Sequence, residues 1–154
     1  MDNKILGYLE AICAKREYCA EDVRQKALKR TEGNIAEAEE IVEKLISEGF
    51  VDNFRYASAF AREKSALTGW GPVKIRYALK AKKIDQDTID AALREIDRQQ
   101  ACSKLEKLLK AKAKSLEGDP QKRYKLLRFA LSRGYGYAEV EAAISCCADD
   151  GTGR

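Results

Sequence analysis

A chain of 154 residues with 45% apolar and 35% charged side chains, net charge +4, two prolines and no histidine can bury a core as one domain or as a short array of small repeats. The lack of histidine excludes Ser-His-Asp and Cys-His catalysis, imidazole acid/base chemistry and histidine-ligated metal, because no other side chain titrates unperturbed near neutrality. Five cysteines without a C-x-x-C pair, a first segment unlike a signal peptide, and charges that interrupt every apolar run predict a soluble, cytoplasmic protein with free thiols and no membrane partner.

Helical periodicity runs through the chain. Ile5, Leu6, Leu9, Ile12 and Cys13 lie on one face of a first helix, and Ile35, Ala38, Ile41, Val42 and Leu45 on one face of another that stops at Gly49. Breaks follow at Gly49–Asp52, Thr68–Pro72, Ile84–Asp87, Gly118–Pro120 and Gly134–Gly136. Asp52 or Asn53 can cap the helix beginning at Phe54, Asp85 or Asp87 the one after, and Pro72 and Pro120 both suit a first helical turn. No two-residue alternation is sustained, and Ala, Glu, Lys, Arg and Leu dominate over β-branched residues. The expectation is an all-α fold of about nine helices.

An internal repeat organises them. Ile75-Arg76-Tyr77-Ala78-Leu79 is echoed by Leu127-Arg128-Phe129-Ala130-Leu131, and Ile89-Asp90-Ala91-Ala92-Leu93 by Val140-Glu141-Ala142-Ala143-Ile144, the match requiring a one-residue deletion; a weaker copy begins at Ala27-Leu28-Lys29. This predicts three tandem three-helix repeats of helix-turn-helix type at 1–50, 51–98 and 99–148, with a flexible tail at 149–154. Units of this size cannot bury a core alone, so they are expected to stack into an elongated, curved body.

Charge follows the repeats. Residues 1–50 carry eight basic and eleven acidic side chains, whereas 69–84 and 121–138 contain no acid at all. The cations there are Lys74, Arg76, Lys80, Lys82 and Lys83 in the second unit and Lys122, Arg123, Lys125, Arg128 and Arg133 in the third. They are either an ordinary solvated helix face or a stripe that binds phosphate or acidic surface, and the missing acids favour the stripe. Trp70, Tyr77, Tyr124, Phe129, Tyr135 and Tyr137 interleave with them and could stack on single-stranded bases. Tyr77 and Phe129 align beside apolar positions and are expected in the core; Trp70, between two glycines, is expected as an exposed contact. No catalytic residue, metal, cofactor or small-molecule substrate is expected: the carboxylates are scattered, Gly69-x-Gly71-Pro72 lacks the features of a phosphate loop, and Cys146 or Cys147 is expected to pack on the last helix.

The run Gly49-Phe50-Val51-Asp52-Asn53-Phe54-Arg55-Tyr56-Ala57, then Phe60 and Arg62, then Gly69 through Ile84, resembles the central signature of the RecX family of RecA regulators. Lys125 through Tyr135 is similar to that family's third-unit motif. Asn53 stands where the family commonly has a second acid, Lys83 where it has glycine, and Cys19 where it has serine near the start of the second helix. The resemblance implies three three-helix units lying in the groove of the RecA–single-stranded DNA filament, the basic second helices facing recombinase or phosphate, and filament growth, ATP hydrolysis and strand exchange limited as a result. Without it, a helix-turn-helix DNA-binding protein, transcriptional or architectural, is the first reading.

Overall fold

The computed structural model describes the backbone of residues 2–151 and the side chains up to Ser145. The packing expected of Cys146 or Cys147 and the end of the expected tail, 152–154, lie outside the described residues; the backbone of 149–151 is helical. Among the described residues there is no strand, and nine helices follow one another: α1 (Asn3–Lys15), α2 (Ala20–Arg30), α3 (Ile35–Ser47), α4 (Asn53–Ala66), α5 (Pro72–Ala81), α6 (Gln86–Arg94), α7 (Arg98–Ser115), α8 (Lys122–Ser132) and α9 (Tyr137–Gly151). The fold is all-α. It divides into two compact bodies, Met1–Ala59 with Leu79–Ala92 and Phe60–Ala78 with Leu93–Arg154, so α4, α5 and α6 each contribute residues to both.

In the first body α1, α2 and α3 close on Leu6, Leu9, Val23, Ala27, Ala38, Ile41, Val42 and Leu45, with Val51 beneath them. Ile35 does not join them. It stands at the first position of α3 and is 69% exposed, because the apolar face of that helix is covered only from Ala38 onward. The caps resolve the alternatives left open by the sequence. Asp52 accepts from Arg55 N–H at 3.0 Å and Asp85 from Thr88 N–H at 2.8 Å. Asn53 serves a different helix: its Oδ1 accepts from Ala20 N–H at 2.8 Å. That bond supplements the N-cap of α2, where Cys19 Sγ, a weak acceptor, reaches Asp22 N–H at 3.5 Å.

The second helix of each triplet ends in the same way. In α2, α5 and α8 the N–H groups of Gly33, Ile84 and Tyr135 reach back to the carbonyls of Leu28, Leu79 and Ala130, and those of Glu32, Lys83 and Gly134 to Lys29, Lys80 and Leu131. This is the Schellman arrangement, and its left-handed residue is Glu32 (φ 56°), Lys83 (φ 59°) and Gly134 (φ 93°), each 51 positions after the last. The constant spacing removes the deletion that the sequence match required. It pairs Ile75 with Leu126, Leu79 with Ala130 and Ile89 with Val140, all buried, and pairs Tyr77 with Arg128, both exposed. The expectation that Tyr77 is core is therefore corrected: it is 79% exposed. A one-residue slip turns a helical side chain by about 100°, from the core side toward solvent.

The second body is centred on Leu105, Leu109, Leu126, Ala130, Tyr135, Val140 and Ile144, contributed by α7, α8, α9 and the α8–α9 turn. Two glycines bring the start of α5 against that turn. Gly71 N–H donates to Arg133 O at 2.7 Å and Val73 N–H to Gly134 O at 2.8 Å, while Tyr135 Oη donates to Gly69 O at 3.1 Å. A Cβ on Gly71 would stand 2.4 Å from Gly134 O, and one on Gly134 would stand 2.2 Å from Lys74 Cβ. Gly134→Ala is expected to lower stability by about 3 kcal/mol or more through this overlap added to its left-handed φ. Gly7, mid-helix in α1 with nothing within 4 Å of an added Cβ, is the converse: Gly7→Ala should raise stability by about 0.5–1 kcal/mol. Urea unfolding followed by circular dichroism checks both signs.

Candidate functional site

Eight of the eleven residues singled out by the sequence belong to the second body: Trp70, Lys74, Arg76, Lys122, Arg123, Lys125, Arg128 and Arg133. Trp70 is half-buried, unlike the exposed contact expected between two glycines. Its N–H is tied to Lys64 O at 2.9 Å and its ring meets Phe60 edge to face at 6.1 Å. The ammonium groups of Lys64 and Lys74 stand 4.8 and 4.6 Å from the indole centroid. Lys64 was not foreseen, since it lies outside the acid-free run.

Several cations of α8 are already engaged. Arg123 pairs with Glu141 at 2.8 Å, and Lys125 with Asp119 at 2.6 Å, which holds the Asp119 carboxyl below its ordinary range. Arg133 donates to Thr68 O at 3.2 Å and covers the Phe129 ring at 5.4 Å, so it ties the end of α8 to the segment between α4 and α5. Arg128 lies over Tyr124 at 5.8 Å. Lys74, Arg76 and Lys122 are half-buried. Of the interleaved aromatics, Tyr77, Tyr124 and Tyr137 are exposed, Phe129 is half-buried beneath Arg133 and Lys112, and Tyr135 is buried.

The other three, Lys80, Lys82 and Lys83, belong to the first body, and two of them face acids there. Lys82 Nζ donates to Asp22 Oδ1 at 2.7 Å, and Lys83 Nζ stands 3.6 Å from Glu21 Oε1. Glu21 also accepts from Gln25 at 2.8 Å and Arg24 at 3.0 Å, which keeps its carboxyl below the usual range. Arg24 in turn donates to Glu39. A segment free of acids along the chain is thus not free of them in space. Lys80 is exposed at the end of α5. No sequence signal pairs residues 60 positions apart, as Asp22 and Lys82 are.

Among the described residues no group of three or more cysteine and carboxylate side chains is placed to hold a metal ion, and no helix is long and apolar enough to cross a membrane.

A family model described as the second three-helix domain of RecX matches residues 52–93. A "Regulatory protein RecX" of Prosthecochloris aestuarii is 33% identical over 143 residues, covering 92% of this chain and 89% of the relative. The chain belongs to the RecX family. A second RecX regulatory protein, of Pectobacterium atrosepticum, is 27% identical and is covered over 99% of its length. The crystal structure of RecX from Lactobacillus salivarius superposes with a TM-score of 0.84 at 21% identity, covering 93% of this chain and 94% of that one, which bears out the fold. The role that RecX membership gives the chain is regulatory. Within the first body the Lys82–Asp22 bond makes a pH-dependent contribution. The hydrogen bond that the Lys82 ammonium donates to Asp22 raises the Lys82 pKa above its ordinary 10.5, so the pair stabilises the folded state fully below that value and is lost as pH rises through the raised one. The stability gap between wild type and Lys82→Gln, below about 1 kcal/mol for a partly exposed pair, should stay constant from about pH 7 to 9 and shrink above about 10.5 in urea titrations.

Proposed function

We propose that this chain regulates the RecA recombinase by binding along the groove of its filament on single-stranded DNA, limiting filament growth, ATP hydrolysis and strand exchange. Membership of the RecX family is the observation that carries the reading. The charge that stays at the surface supports it: Lys80 and Arg128 are exposed and Lys122 is half-buried, and an arginine or lysine facing a phosphate or an acidic surface supplies affinity that falls with salt. Lys80 of the first body and Lys122 and Arg128 of the second are the proposed contacts, together with Lys74 and Arg76 of the second. Lys82, Lys83 and Arg133 act instead as internal ties, because each already has a partner within its own body. A body seated in the groove would exclude the incoming duplex and bias filament ends toward loss.

The test is recombinase ATPase on single-stranded DNA with increasing amounts of the protein, together with binding to filament, free single strand and free duplex at one salt concentration. Inhibition by wild type and at least about tenfold weaker filament binding by Lys122→Glu/Arg128→Glu, with an unchanged helical circular dichroism spectrum, are expected. Reversal of Lys82 is avoided because a carboxylate there would face Asp22 and destabilise the first body. Full inhibition by the double variant would remove α8 from the contact. Preference for one duplex sequence with no effect on the recombinase would instead mark a helix-turn-helix DNA-binding protein.

A further inference from the structure

Along the chain, Lys80-Ala81-Lys82-Lys83 is a basic run at the close of α5. In space it meets the start of α2. Lys82 Nζ lies 2.7 Å from Asp22 Oδ1 and Lys83 Nζ 3.6 Å from Glu21 Oε1. Both acids stand in the first turn of α2, where the helix dipole favours a carboxylate with or without a lysine nearby. Glu21 is also fixed from its own helix: Gln25 donates to it at 2.8 Å and Arg24 at 3.0 Å, its side chain is only 12% exposed, and these bonds hold its carboxyl below the usual range. Arg24 pairs with Glu39 as well. Arg24, Lys82 and Lys83 thus face Glu21, Asp22 and Glu39, all within the first body, and the network carries no net charge.

A phosphate that approaches Lys82 or Lys83 meets a carboxylate already in place behind the ammonium, and the repulsion between the two anions offsets the attraction gained. A lysine that brings its own carboxylate neutralises no phosphate and releases no counterion from nucleic acid. We propose that Glu21 and Asp22 form an autoinhibitory contact that withholds Lys82 and Lys83 from nucleic-acid phosphate. Lys80, exposed in the same run, is left outside it. The contact does not depend on the recombinase reading, since it concerns the bare strand.

The probe is an oligothymidylate single strand, titrated against the full chain at several salt concentrations. Glu21→Gln/Asp22→Asn should bind it at least about threefold more tightly, with a log–log salt slope steeper by about 0.7 for each lysine released. Adding Lys82→Gln/Lys83→Gln should return affinity and slope to the wild-type values, because the network is then neutral once more. Glu40→Gln/Glu43→Gln makes the same change of net charge on the exposed side of α3 and should stay within about twofold of wild type, its acids being screened from the lysines. Circular dichroism and thermal unfolding check each fold, and Asp22→Asn alone, the milder change, should show the gain of a single lysine. No gain from either α2 variant overturns the contact. An equal gain from Glu40→Gln/Glu43→Gln also overturns it, since net charge alone would then account for the binding. So does a gain that survives the removal of Lys82 and Lys83.

Discussion

The second body depends on a single close approach between backbones at Gly71 and Gly134. There the start of α5, whose first-turn N–H groups have no partner within the helix, meets the carbonyls that close α8. Positive and negative helix ends therefore face each other, and two backbone hydrogen bonds of about 0.5–1.5 kcal/mol each form at the junction. Pro72 fits because the first helical position needs no donor, and both glycines are required because any side chain would occupy the partner's backbone. Thr68, Gly69, Arg133 and Tyr135 add their bonds around this contact, and Trp70 is held half-buried beside it. The Gly-Trp-Gly-Pro segment is accordingly a packing device, with Trp70 held between Phe60 and the ammonium groups of Lys64 and Lys74.

Repetition in this chain is more regular in three dimensions than in sequence. Three left-handed residues at a constant interval close three helices, although they are glutamate, lysine and glycine. Non-glycine residues can take this conformation at a cost of about 1–2 kcal/mol, and at Lys83 the side chain also reaches Glu21. The backbone geometry is thus retained while the residue changes, and an alignment by residue identity drifts by one. At the constant interval Tyr77 occupies the place of an arginine, and its ring is exposed.

The cations divide into two kinds. Lys82, Lys83, Arg123, Lys125 and Arg133 are spoken for by carboxylates or carbonyls of their own body and act as ties. Lys80 is exposed, and Arg128 touches only an exposed ring among the contacts described for it, so its charge remains available to solvent and partner.

The sequence by itself determined the helical class, the approximate ends of the helices, the Pro72 start, the uneven charge, and the family, because periodicity, capping chemistry and a long motif are local properties of the chain; which residue caps α4 and α6 was decided by the structure. The apolar face of α3 was legible except at Ile35, where the helix runs past its cover. Only the tertiary structure decided which cations remain open, because Asp22 and Lys82 are distant in sequence and near in space. It also decided the exposure of Tyr77, since the side of a helix that faces the core turns through about 100° with each residue and is set by what packs against it.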